Sequence, residues 1–322
     1  MLRRLSLLPV LVSVLSLGAV AWWASTQERP DLPDGGQALV AVLLAGAIYM
    51  AATVARAERW HRVLVHAGVD ARRRDSWALT PVGYMGNNVL PARAGELLRV
   101  FLLAPRARSR RRDVLATVVA ERLLDVVALG LIFVVLAAAV VRRAAVPAQG
   151  LVFLGALVVV ALGVLALLAG SRYGARLADG RVREMVHALS GPARGLLSVH
   201  GAGLLGLSVV IWTLEAGVYF AVAAALDLGM GPAHSFYVVA LTNLFALVPA
   251  APGYVGTFDA AVVFGVEAAG VAGGAALGYL LLLRFVLFVP ITLVGLAILV
   301  ARYGGLSAYR AARRAGLRAP AS

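Results

Sequence analysis

The chain is 322 residues long, with 61% apolar and only 14% charged residues, too few charges to give a soluble fold of this size an ordinary polar surface. Cysteine is absent, which excludes disulfides, thiolate catalysis and cysteine-ligated metals. All 30 basic residues are arginine, so no Schiff-base lysine exists. The formal net charge of +14 falls in short arginine clusters between apolar stretches, a membrane-orientation pattern rather than a nucleic-acid surface.

A membrane-spanning helix needs about 20 apolar residues. The first such run, Leu5–Ala24, follows Arg3 and Arg4. It is long for a signal-peptide core, and Ser25-Thr26-Gln27-Glu28 after it is a poor cleavage site, so it reads as an uncleaved first span. Ala38–Ala55, Val114–Val141, Leu151–Ala169, Ala202–Leu226 and Ala275–Ala301 are further expected spans. Two other apolar regions are interrupted: Ala78–Leu103 by Pro81, Gly83, Gly86, Asn87, Asn88, Pro91 and Gly95, and Ser235–Val271 by Asn243, Pro249, Pro252, Gly253 and Gly256.

Arginine placement orients these elements. Arg3 and Arg4 put the N-terminus in the cytoplasm, and the acidic stretch Glu28–Gly36 outside. Arg56, Arg59, Arg62 and Arg72–Arg74 read as the cytoplasmic loop that follows, and the five arginines of Arg106–Arg112 lie on the same side. Ala78–Leu103 therefore enters and leaves from the cytoplasm. Val114–Val141 goes out and Leu151–Ala169 returns, with Arg142 and Arg143 a minor violation outside; Arg172, Arg176, Arg181, Arg183 and Arg194 lie inside, partly on an amphipathic surface helix. Asp227–His234, without arginine, is outside, and Arg302, Arg310, Arg313, Arg314 and Arg318 hold the C-terminus inside, which requires Ser235–Val271 to re-enter on the outer side. The expectation is an all-α protein of the bacterial inner (cytoplasmic) membrane, with six full spans, two opposed re-entrant hairpins and both termini cytoplasmic. Residues 1–322 form a single integral membrane domain in this reading, with a basic tail over 302–322; kinked full spans in pairs would mimic the hairpins.

The two interruptions echo each other. Asn87-Asn88-Val89-Leu90-Pro91-Ala92-Arg93-Ala94-Gly95-Glu96 and the stretch from Asn243 through Pro249, Pro252, Gly253 and Gly256 to Asp259 both run from asparagine through Pro-Ala and glycine to an acid that opens a new helix. Irregular backbone at membrane depth is tolerated only where protein or a water-filled cavity supplies hydrogen-bond partners, and paired interruptions in corresponding halves are the sequence mark of a transporter site. A half-helix beginning at Pro91, with Arg93 beside it, would offer its positive end to an anion such as a phosphate. Ordinary proline kinks are the structural alternative.

Charges also fall within the apolar spans: Glu121, Arg122 and Asp125 in one, Glu215 in another beside Trp212 and Tyr219, and Arg284 in the last. Each costs roughly 2.5–3.5 kcal/mol at the bilayer centre, so Arg93, Arg99, Arg122 and Arg284 are expected to face Glu96, Glu121, Asp125, Glu215 and Asp259. Such a network either holds helices together or lines a polar cavity or proton relay. No motif supplies a nucleophile or a metal: His61, His66, His187, His200 and His234 show no helical metal spacing inside an apolar span. No catalytic residue, cofactor or metal is expected.

Asn87 through Arg99, the block Glu121-Arg122-Leu123-Leu124-Asp125 and Pro252-Gly253-Tyr254-Val255-Gly256, with Arg59-Trp60, resemble the lysylphosphatidylglycerol synthase transmembrane-region family of flippase-like proteins, over about residues 38–301. Tyr254 stands where that family's pattern has a second glycine, and Asp259 where it often has glutamate. The resemblance implies lipid translocation without aminoacylation, because only a short arginine-rich tail follows Ala301 in place of a soluble aminoacyltransferase domain. The expected substrate is a membrane lipid with an anionic or sugar-bearing headgroup seated in a cavity between the hairpins, and the expected partners are membrane lipids and an unidentified envelope-synthesis enzyme, not nucleic acid. An ion-coupled carrier of a small solute, a factor for lipid-linked glycan assembly and a non-transporting scaffold remain alternatives.

Overall fold

The computed structural model describes residues 35–90, 93–140, 198–246 and 252–304, with isolated positions between 18 and 30. Most of the expected span Leu5–Ala24, the span Leu151–Ala169, the arginine-rich segment Arg172–Arg194, the tail beyond 304, and both Pro91 and Pro249 lie outside the described residues.

Regular structure among the described residues is entirely helical. In chain order it comprises α1 (Gly35–His66), α2 (Arg73–Val89), α3 (Ala94–Leu103), α4 (Arg111–Val140), α5 (Val199–Ala225), α6 (Pro232–Phe245), a 3₁₀ turn (Pro252–Tyr254), α7 (Thr257–Glu267) and α8 (Gly273–Tyr303). Three of these, α1, α5 and α8, are long and apolar enough to cross a membrane. Both expected interruptions appear as breaks between two shorter helices, α2–α3 and α6–α7.

Helix α1 runs well past the expected span end at Ala55. It stops where Gly68 adopts φ 73, with the Ala67 and Val69 amides bonded back to Val63 and Leu64 carbonyls, a glycine-terminated cap. Arg56 and Arg59 are therefore not loop residues. Both lie within α1 and are buried, Arg59 at 1% exposure. Only Arg62 and Arg72–Arg74 of that group are solvent-exposed.

By packing, the described residues fall into two compact units. The first holds 35–53, 81–90 and 93–98, 213–246 and 252–302, and so contains both breaks. Within it α2 and α3 touch at glycines: a Cβ on Gly86 would meet the Gly95 Cα at 2.6 Å, and Gly95 itself packs on Gly83 and Asn87. Gly95, expected at a hinge, is thus a point of close approach. Helix α7 packs on α6 where Gly265 admits Val238 and Leu241. Asn88 Nδ2 donates to Thr292 Oγ1 of α8 at 2.9 Å, and Gly295 of α8 lies against Pro81 and Met85 of α2. Tyr219 of α5 shares a 3.0 Å hydrogen bond with Thr242 of α6, and its carbonyl accepts from the Tyr279 hydroxyl of α8 at 3.2 Å. In the second unit Val63, Ala120, Leu124 and Leu204 of α1, α4 and α5 form one buried apolar cluster, and Trp60 Nε1 donates to Thr117 Oγ1 at 3.1 Å.

Candidate functional site

The charges inside the helices do not form one pool. They sort into two sets, one in each unit.

In the second unit Glu121 and Asp125 share a face of α4, as the i, i+4 spacing predicts, and Arg59 of α1 lies between them. Arg59 Nη1 donates to Asp125 Oδ1 at 2.7 Å and to Ser208 Oγ at 2.8 Å, while Nη2 stands 3.7 Å from Glu121 Oε1. Arg99 Nη2 donates to Glu121 Oε2 at 3.1 Å, and its guanidinium lies 4.5 Å from the centre of the Trp60 ring. Arg122 Nη1 completes the row 3.2 Å from Asp125 Oδ2. Charges of opposite sign thus alternate through five residues: Arg99, Glu121, Arg59, Asp125 and Arg122. Reading Arg59 as part of a basic loop concealed its place at the centre of this row. The available signal was the apolar run Trp60, Val63 and Leu64 continuing at helical spacing to His66, with Gly68 as the first stop. Glu215, buried in α5, belongs to the first unit and not to this row.

In the first unit the two breaks share one design. Glu96 is the third residue of α3, and Asp259 the third of α7. Each acid has an arginine partner: Arg93 Nη2 is 3.0 Å from Glu96 Oε1, and Arg284 of α8 pairs with Asp259. Acids in a first turn meet the positive end of the helix, and Asp259 Oδ2 also accepts the Gly256 N–H at 2.8 Å. Helix α3 begins at Ala94 and not at Pro91, because Arg93 just before it has φ 55, a left-handed conformation outside the helical region.

Arg93 also connects the breaks, while Arg284 ties the second break to α8. Arg93 Nη1 donates to the Ala246 carbonyl at 3.2 Å, and its guanidinium lies 5.9 Å from the centre of the Tyr254 ring, so the first break reaches both shoulders of the second. Arg284 Nη1 donates to the Gly253 carbonyl at 3.4 Å and lies against the rings of Phe258 and Phe288. Arg93 Nε and Arg284 Nη2, both buried, have no hydrogen-bond partner among the described residues. Gly253 and Gly256 take φ values of 65 and 89 that favour glycine, and Gly253 packs near the Asn88 carbonyl. Tyr254 has φ 54, the conformation that its glycine-like position in the motif implies, at a cost of about 1–2 kcal/mol for a residue with a Cβ. Asn87 is buried at the end of α2 and its Oδ1 also has no partner among the described residues. Among those residues no cluster of three or more histidine or acidic side chains can hold a metal.

Long apolar helices interrupted by polar, arginine-lined breaks define a multi-pass α-helical membrane protein. The chain belongs to the family described as the lysylphosphatidylglycerol synthase TM region, whose model matches residues 5–295 and so takes in the first expected span as well. Among curated proteins, glycosyltransferase AglD of Haloferax volcanii is 28% identical over 319 residues, covering 85% of this chain and 51% of that protein. The chain spans about half the length of this relative.

Proposed function

We propose that this membrane protein moves a polar lipid headgroup, anionic or sugar-bearing, between the leaflets of the cytoplasmic membrane. The observation that carries the reading is that two irregular breaks meet in one compact unit, bridged by Arg93, and that Arg93 and Arg284 beside them keep unmet buried donors. Unmet N–H groups of guanidinium are strong, charge-assisted donors for phosphate oxygens. Of the four arginines expected at the headgroup, Arg93 and Arg284 suit that task, each being 23% exposed, whereas Arg99 is 6% exposed and engaged by Glu121.

In this reading α1, α4, α5 and α8 are full spans, α2–α3 and α6–α7 are opposed re-entrant hairpins, and Leu5–Ala24 and Leu151–Ala169 complete six spans with both termini cytoplasmic. The headgroup occupies the paired breaks, and Asn87, Asn88, Glu96 and Asp259 set its polar surroundings. The row centred on Arg59 has the complementary role of joining α1, α3, α4 and α5. A role in lipid or glycan metabolism is what the family description and the printed activity of the relative support. The side chains at the breaks suggest passage of a headgroup rather than a transfer reaction.

The test is reconstitution in liposomes carrying fluorescent anionic or sugar-bearing lipids, with a membrane-impermeant quencher added outside. The expected result is faster loss of inner-leaflet fluorescence than in empty liposomes. No acceleration for any such lipid refutes the proposal.

A further inference from the structure

We propose that an anionic headgroup enters the paired breaks together with one proton, which Glu96 takes up. The inference rests on the headgroup-transport reading and names what travels with the cargo. Each break has one arginine paired with one carboxylate, Arg93 with Glu96 and Arg284 with Asp259. Each arginine also contacts a residue of the 3₁₀ turn, Arg93 the Tyr254 ring and Arg284 the Gly253 carbonyl. These two pairs cancel in charge before any cargo arrives. A phosphodiester seated on the unmet donors Arg93 Nε and Arg284 Nη2 adds one negative charge. Arg99, the next arginine along the chain, does not offset it, since it belongs to the second unit and is engaged by Glu121. An uncompensated charge held away from water is costly, and a proton removes it.

Geometry selects the carboxylate. Asp259 is held twice, accepting the Gly256 N–H at 2.8 Å and pairing with Arg284, and its side chain is 6% exposed. Glu96 is 20% exposed, so water can deliver a proton to it, and its partner Arg93 is the arginine that reaches both breaks. A phosphate on Arg93 places a second negative charge beside the Glu96 carboxylate, and like charges that close favour the protonated acid. The added anion drives the proton on; loss of Arg93 alone does not. Tyr84 of α2 and Tyr254 of the second break are phenols, neutral near pH 7, and take up no proton. The acids that compete for it in this unit are Asp259 and Glu215, the latter buried in α5. Glu96 returns the proton to water when the headgroup leaves, and headgroup and proton together carry no net charge.

The experiment titrates the full chain in detergent with two probes, dihexanoyl phosphatidylglycerol and an uncharged short-chain glucosyl diacylglycerol. Calorimetry near pH 7 in buffers of different ionisation enthalpy counts the protons taken up per probe bound. The wild-type protein is expected to take up about one proton with phosphatidylglycerol and none with the glucosyl lipid. Its affinity for phosphatidylglycerol then rises about tenfold for each unit that the pH falls, as uptake of one proton on binding requires. Glu96→Gln takes up none and binds phosphatidylglycerol equally at each pH, while its unchanged affinity for the glucosyl lipid reports an intact fold. Glu96→Asp, which keeps an acid there, keeps the uptake. No uptake by the wild-type protein with phosphatidylglycerol bound, an uptake that survives in Glu96→Gln, or binding of the glucosyl lipid alone overturns this inference and leaves headgroup transport standing. Failure of the wild-type protein to bind either probe overturns both.

Discussion

Arg59 Nη1 donates to Asp125 Oδ1 at 2.7 Å, and both side chains are more than nine-tenths buried. Arg59 is also the middle member of the alternating row, flanked by Glu121 and Asp125, whose only other arginine contacts on the row are Arg99 and Arg122. Breaking a buried pair by deleting one partner leaves an uncompensated charge and costs about 3–5 kcal/mol. Arg59→Met is therefore expected to lower the temperature at which the detergent-solubilised protein loses its monodisperse size-exclusion peak by many degrees. Arg62→Met is the control. Its pair with Glu58 involves a side chain that is half exposed, and pairs of that kind contribute at most about 1 kcal/mol. Equal melting of the two variants contradicts a structural role for the row.

The contact between α2 and α3 makes a second prediction. Gly86 and Gly95 meet backbone to backbone, so a methyl group on either has no room and no flexible side chain to displace. Overpacking of this kind costs about 1–3 kcal/mol or more. Gly86→Ala and Gly95→Ala are expected to reduce yield and thermal stability in the same size-exclusion assay. Gly217→Ala, whose added methyl meets only Ile48 at an ordinary 3.7 Å, should behave as wild type.

The breaks themselves were legible in the sequence because proline, glycine and asparagine in an apolar run disturb the backbone wherever they stand. The acid at the third position of each following helix was legible too, since the spacing from break to acid is local. What the sequence did not reveal was which charges meet. Arg59 reads as one more arginine in a basic flank, and only the register of α1 against α4 brings it between Glu121 and Asp125. Likewise nothing local announces that Arg93 contacts Ala246 and Tyr254 more than 150 residues away. Contacts of that separation are set by helix packing, which composition and periodicity do not encode.

Two neighbouring residues of the second break should respond in opposite ways. Gly253 and Tyr254 share a left-handed backbone, with φ 65 and 54. Gly253→Ala introduces a strain of about 1–2 kcal/mol and is expected to lower thermal stability. Tyr254→Gly removes such a strain, and that gain offsets the loss of a half-buried ring, so its melting temperature should stay close to wild type. A large fall for Tyr254→Gly, on the scale of about 3–5 kcal/mol seen when aromatic side chains are deleted from cores, would mean that the ring serves packing.

Arg93, Arg284 and Arg99 each face an acid, yet their removal should have different consequences. Glu96 and Asp259 sit in the first turn of a helix, where the unpaired amides and the helix dipole stabilise a negative charge, and Asp259 already accepts the Gly256 N–H. Neither carboxylate is stranded when its arginine becomes glutamine. Glu121 lies in the middle of α4, far from any helix terminus, and has only the guanidinium groups of Arg59 and Arg99 in the contacts described above. Arg93→Gln and Arg284→Gln are therefore expected to give protein in ordinary yield that moves lipid at least about tenfold more slowly, the loss of one charge-assisted contact being about 1.5–3 kcal/mol. Arg99→Gln is expected to lower yield and stability first. Measuring yield and lipid movement on the same preparations separates the two effects. If Arg93→Gln and Arg284→Gln fold and transport as wild type does, the breaks are structural kinks and the headgroup passes elsewhere.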